Sequence, residues 1–107
     1  MGQLPKRYLQ FMKDFPDVGK AYEAYGEAIA NAGPIDEKTR SMIKLAISIG
    51  ARIEGGAKSH AHKALLAGVT PEELRHIALL SAPTIGFPNM MAGLSSVDEV
   101  IEGYERD

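Results

Sequence analysis

Three histidines, His60, His62 and His76, are the residues of this 107-residue sequence best suited to moving a proton or holding a metal, and no cysteine competes with them. The missing thiol removes disulfides, thiolate metal sites, iron–sulfur clusters and every cysteine-based nucleophilic or redox mechanism. His60 and His62 resemble a metal pair only until the helix that carries them is considered. Side chains two residues apart on a helix point about 200° away from each other, so one ion cannot take both. Neither histidine has a second histidine or a carboxylate four residues away. No metal and no cofactor are expected.

His60 shares a helical face with Ile53, Gly56, Ala57, Ala64 and Ala67, all small or apolar, and is expected to be largely buried with a ligand-sized gap beside it. Two readings stay open. It is a core histidine satisfied by one hydrogen bond, or a desolvated imidazole whose pKa is tuned for proton transfer. His62 falls with Lys58, Leu65 and Leu66, and His76 follows Arg75 on a polar side, so both read as surface or interface residues. Glu54 and Lys58, four apart in the favourable order, form a modest helix-stabilising pair. Met90 and Met91 read as core filling. No phosphate loop, nucleophile elbow or nucleic-acid module appears, and Gly55-Gly56 without a preceding strand is a helix-start feature.

These side chains need helices to position them. Four valines and three threonines stand against fourteen alanines, and no alternation of polar and apolar residues reaches strand length. The chain reads as all-α, with about six helices. Pro5 and Pro16 suit first helical positions, giving helices near 5–14 and 16–31, the second stopped by Gly33-Pro34, with Val18, Tyr22, Tyr25 and Ile29 as its inner stripe. Asp36 caps a helix to Gly50 whose Met42, Ile43, Ala46, Ile47 and Ile49 make a broad apolar face, the expected core helix. A helix over about 54–67 follows, closed by Gly68. Thr70-Pro71-Glu72-Glu73 then places a capping box and an N1 proline at one start. That helix carries Leu74, Ile77, Ala78 and Ser81 inward until Pro83, and Gly86-Phe87-Pro88 opens a last helix through about 102.

The length suits one domain, residues 1–107, and leaves a deep private site hard to build without a subunit interface. Twelve basic against fourteen acidic residues, a net charge of −2, offer no strongly basic face for nucleic acid or an anionic membrane. No stretch approaches a membrane span, the start MGQLPKRY lacks the apolar core of a secretory signal, and Gly2 is followed by Lys6 where myristoylation wants Ser or Thr. The expected location is the cytoplasm.

The stretch from Asp36 to Pro88 carries an ordered set of features. Lys38-Thr39-Arg40 opens an apolar helix; Glu54-Gly55, His60, Lys63-Ala64-Leu65 and Ala67-Gly68-Val69-Thr70 follow; Glu72, Glu73, Gly86 and Pro88 complete the order. Over this half of the chain the sequence resembles the carboxymuconolactone decarboxylase family, whose fold is that of alkylhydroperoxidase D. The resemblance implies an all-helical subunit, a site near His60 and symmetric oligomers, commonly trimers or hexamers. One branch of the family has two cysteines and an upstream glutamate at positions that here hold Ile53, Gly56 and Ser41. The sequence therefore sits nearer the cysteine-free decarboxylase branch, which it resembles around Thr39-Arg40-Ser41, Glu54-Gly55, Lys58 and His60. It departs from that branch in a shorter N-terminus and in Gly56 and Ala57.

Two functions follow from the resemblance. The first is a cofactor-free lyase that decarboxylates or isomerises a small carboxylated lactone, with His60 moving the proton, Ser41 orienting it, and Arg40, Arg52 or Lys58 holding the substrate carboxylate. The alternative is a non-catalytic oligomeric binding or scaffold protein that has lost the dithiol peroxidase chemistry of its relatives. Both make it a homo-oligomer, a trimer or hexamer, with no nucleic-acid or membrane partner. With no thiol to oxidise, the protein is expected to leave peroxide-dependent consumption of a dithiol reductant at the uncatalysed rate, measured in a coupled spectrophotometric assay.

Overall fold

The computed structural model describes residues 6–106, which form six helices of nine residues or more and one isolated helical turn, with no strand among the described residues. In chain order they are α1 (Lys6–Asp14), α2 (Pro16–Ala30), α3 (Glu37–Gly50), α4 (Glu54–Leu66), α5 (Pro71–Leu80), the single turn α6 (Ala82–Ile85) and α7 (Phe87–Arg106). The all-helical reading holds. Pro5 and Gly2 lie outside the described residues, whereas Pro16 opens α2 as expected.

The core is a stack of α3, α4, α5 and α7. Ala57, Ala61 and Ala64 recur on one face of α4 and are buried, as are Leu45 and Ile49 of α3, Leu74 and Ala78 of α5, and Val97 and Ile101 of α7. Alanines at this spacing remove side-chain bulk from a helix face, so neighbouring helices approach closely. α4 is accordingly packed on both sides, by α3 and by α7. The most deeply embedded helix is therefore α4 and not α3. α3 was expected to be the core helix, but of its broad apolar face only Ile49, with Met42 partly, turns inward, and the fully buried Leu45 lies outside that face. Ile43 and Ile47 stand exposed, Ile47 by 62%.

The N-terminal pair departs further from expectation. α1 and α2 pack chiefly on each other, through a close approach of Met12 to Gly19, and the stripe Val18, Tyr22, Tyr25 and Ile29 faces outward, Tyr25 by 66%. Amphipathic spacing correctly marked an apolar face, but nothing among the described residues covers it.

The local stop and start signals are well reproduced. Thr70 and Glu73 form the reciprocal capping box, the Glu73 amide donating to Thr70 Oγ1 at 3.1 Å and the Thr70 amide to Glu73 Oε1 at 2.9 Å. Lys38 of α3 pairs with the same carboxylate at 3.3 Å, and Arg75 of α5 pairs with Asp98 of α7 at 2.9 Å. Two ends differ from the sequence reading. Pro83 does not simply stop α5 but sits in the first turn of α6, as a proline tolerates. α7 runs past 102 to Arg106, which brings Tyr104 onto the bundle.

α7 meets α3 at Gly93, where an added Cβ would lie 2.8 Å from Ile49 Cγ2. Ile49 is buried and β-branched, so it has little room to yield. Gly93→Ala is expected to lower stability by about 1 kcal/mol net, overpacking of about 1–3 kcal/mol exceeding the gain in helix propensity of about 1 kcal/mol. Gly26→Ala, at a position with nothing within 4 Å, should instead raise it. Thermal denaturation of the two variants should show opposite signs.

Candidate functional site

α4 carries its three alanines along one line, and the geometry of a helix puts His60 and His62 on opposite flanks of it, each about 100° from Ala61. Their environments differ accordingly. His62 is buried, 6% exposed, and meets the Tyr104 ring edge-on with centroids 6.2 Å apart. It was expected at the surface; the unforeseen last turn of α7 covers it. His60, expected to be largely buried, is only half-buried, on the flank that faces α3. His76 is exposed, as its polar side implied.

His60 is the electrostatically unusual histidine. Burial pushes its pKa below the ordinary 6.5, and the nearby ammonium groups of Lys63 and Lys44 push it further in the same direction. The imidazole is thus neutral at pH 7 and lies within the field of two cations. Neither Lys44 nor Lys63 has a carboxylate partner among the described residues; Lys63 Nζ instead lies 6.0 Å from the centre of the Tyr8 ring. Sequence reasoning passed over these two lysines. The signal was present, because Lys63 stands three residues beyond His60, but Lys44 enters only through the packing of α3 on α4.

The other expected site residues are not gathered around His60. Lys58 is bound into a carboxylate pair, 2.8 Å from Glu99 of α7 and 3.9 Å from Glu54, and the Glu99 contact raises its pKa above the ordinary value. The Glu54 contact is the expected i, i+4 pair, but Glu99 is the closer partner. Arg40 donates from Nη1 to the Ile35 carbonyl, near the start of its own helix. Ser41 is partly buried on α3 and makes no hydrogen bond to His60. Arg52 lies beyond the end of α3, on the wall of a separate cavity.

That cavity, about 140 Å³, opens between the end of α3, the start of α4 and α7. Its walls include Ser48, Arg52, Ile53, Ala57, Asn89 and Ser96. The gap expected beside His60 is not this cavity, whose wall takes Ala57 from α4 but not His60. A wider and almost wholly apolar groove of about 430 Å³ runs between α3 and α5–α6 along Met42, Ile43, Ala46, Ile77, Leu80 and Ile85. Among the described residues no three His, Cys, Asp or Glu side chains come together to hold a metal ion, and no helix is long and apolar enough to cross a membrane.

Comparison with known proteins adds the context. A protein of Haemophilus influenzae described as uncharacterised is 36% identical over 59 residues, 55% of this chain and 52% of the relative, so the chain spans about half the length of the curated relative it matches. No solved structure gives a significant match. Residues 16–99, from the first residue of α2 into the later part of α7, match the carboxymuconolactone decarboxylase family, and this cysteine-free, all-helical chain belongs to it.

Proposed function

We propose that the protein is a cofactor-free lyase acting on a small carboxylated lactone, with His60 as the proton carrier. The observation that supports this most is the pairing of a half-buried neutral imidazole with two ammonium groups, Lys44 and Lys63, that no described carboxylate neutralises. Loss of carbon dioxide from such a substrate breaks the bond between ring carbon and carboxylate and leaves the electron pair in a dienolate. That anion needs a nearby cation, and the carbon needs a proton, which the imidazole relays from water. A lysine pair meets the first need and His60 the second. Isomerisation uses the same parts, with His60 taking a proton from one carbon and returning it to another. Arg40 and Ser41 stand on the same helix as Lys44 and would contact a bound carboxylate at its margin; Lys58 is engaged by Glu99 and Arg52 lines a separate cavity, so neither belongs to this site.

A second reading, a non-catalytic oligomeric binding or scaffold member, is favoured by one observation: the walls of the cavities described above do not include His60. A wall from another copy would complete the site under the first reading and is unnecessary under the second. Both readings make the protein a homo-oligomer, a trimer or hexamer. Sixteen large apolar side chains are exposed among the described residues. At roughly 100 Å² apiece for half-exposed side chains of this size, their surface exceeds the ~800 Å² per partner of a standard interface. Sedimentation equilibrium at micromolar concentration is expected to give a multiple of the 11.5 kDa chain mass; a clean monomer contradicts this.

His60→Gln should retain fold and assembly while lowering carbon dioxide release from carboxylated lactones by about 100-fold or more. Because the folded pKa of His60 lies below 6.5, acidification charges the imidazole, and activity that needs its neutral form should persist below pH 6.5 and fall as pH drops through the lowered value. Lys44→Met and Lys63→Met each remove a cation, so the His60 pKa, followed by NMR titration of the ring protons, should rise towards its ordinary value in both. An unchanged rate in a correctly assembled His60→Gln variant would reject His60 as the proton carrier, and no carbon dioxide release by the wild-type protein would leave the scaffold reading.

A further inference from the structure

Two helices of this chain end in the same hydrogen-bonding motif but with different residues at its centre. After α4, the Val69 amide donates to the Ala64 carbonyl at 2.9 Å and the Gly68 amide to Leu65 at 3.1 Å, with Gly68 at φ 95°. After α3, the Ile53 amide donates to Ser48 at 3.0 Å and the Arg52 amide to Ile49 at 3.1 Å, with Arg52 at φ 60°. The central position of this motif is left-handed and normally glycine, because a Cβ is disfavoured there. Arg52 is the one positive-φ residue other than glycine among those described. A side chain kept at a position that would fold more readily without one points to a use for that side chain.

The use lies in the cavity that Arg52 borders. Ser48 and Ser96 are each 6% exposed, line this cavity from α3 and α7, and have hydroxyls with no hydrogen-bond partner among the described residues. No buried side-chain polar atom lacks a hydrogen bond among the described residues, so both hydroxyls are accessible from the open cavity and are free to bond a guest. The Arg52 guanidinium likewise has no ion pair among the described residues. Asn89 donates from Nδ2 to the Ile85 carbonyl at 2.7 Å, so its amide nitrogen is already engaged. The remaining wall is apolar or small: Ile49, Ile53, Ala57, Ala92 and Gly93. A volume of about 140 Å³ compares with the ~150 Å³ of cavities that hold benzene, the size of a single ring. Glu54 also borders the space, and its negative charge disfavours a guest with more than one carboxylate.

We infer that the cavity between α3, α4 and α7 binds a single-ring monocarboxylate, its carboxylate held by Arg52 and the hydroxyls of Ser48 and Ser96 and its ring against the apolar wall. The site is separate from His60 and stands without the lyase reading. Arg52 offers the planar, always-charged donor set that suits a carboxylate, and the serines offer hydroxyls that rotate to donate.

Benzoate is a suitable probe and benzamide its neutral control, with binding measured by calorimetry and mapped by amide chemical shifts on the full chain. Wild-type protein should bind benzoate more tightly than benzamide, with shifts at Ser48, Ala92 and Ser96. Arg52→Gly places the preferred residue at the left-handed position and should keep or raise the melting temperature while weakening benzoate by about tenfold or more. Ser48→Ala, which leaves that turn untouched, should weaken it to a lesser degree. The inference is overturned by no binding up to about 10 mM benzoate. It is equally overturned by equal affinity for benzamide, by unchanged affinity in Arg52→Gly, or by shifts centred on His60 in place of the serines. Failure of His60→Gln to affect turnover would bear on the lyase reading alone.

Discussion

Everything in this fold that could do chemistry is placed by the alanine face of α4. Ala57, Ala61 and Ala64 present so little bulk that α3 and α7 both close on the same helix. Close approach on two sides leaves only the flanks of α4 for polar side chains, and the flanks are where His60 and His62 emerge. A leucine in place of Ala61 would push the neighbouring helices apart and dissolve both environments together, because core packing at this density tolerates little added volume. The chemical difference between the two histidines is thus a difference between neighbouring helices: α7 offers Tyr104 and α3 offers Lys44. One imidazole is enclosed, and the other is half open beside cations.

Ion pairs sort themselves around that core in a way that bears on function. Lys38, Lys58 and Arg75 each bind a carboxylate and tie one helix to another, α3 to α5, α4 to α7 and α5 to α7. At the surface such pairs contribute little to stability singly, but each occupied cation is one fewer available to a ligand. Lys44, Lys63 and Arg52 are left with no carboxylate partner among the described residues. All three lie on or beside α3 and α4.

Much of this was legible in the sequence because it rests on local rules. The capping box at Thr70 and Glu73, the proline at the start of α2, the glycine after α4 and the inward face of α5 depend on residues within a few positions of one another, and all appear as read. The errors arise where one helix meets another. The α2 stripe is amphipathic as its spacing implied, yet amphipathicity does not say which chain covers the face. His62 was misplaced because α7 continues for another turn, bringing Tyr104 over it. α3 ends at Gly50 as read, but the left-handed residue that closes its last turn is Arg52, a residue type that gives no such signal. Lys63 was legible three residues beyond His60, while Lys44 came beside it only through the packing of α3 on α4.

The separateness of the α1–α2 hairpin carries a consequence for how the chain reaches its native state. From α3 onward, packing divides between sequence neighbours, α3 with α4 above all, and the return of α7 onto α4 and α5, an all-helical arrangement of the kind that collapses on a microsecond to millisecond timescale. The hairpin has no comparable support. Helices of 9 and 15 residues are marginal alone in water, and among the described residues nothing covers the apolar face of α2. Folding should therefore divide into a fast event over α3–α7 and a later, separate ordering of α1–α2.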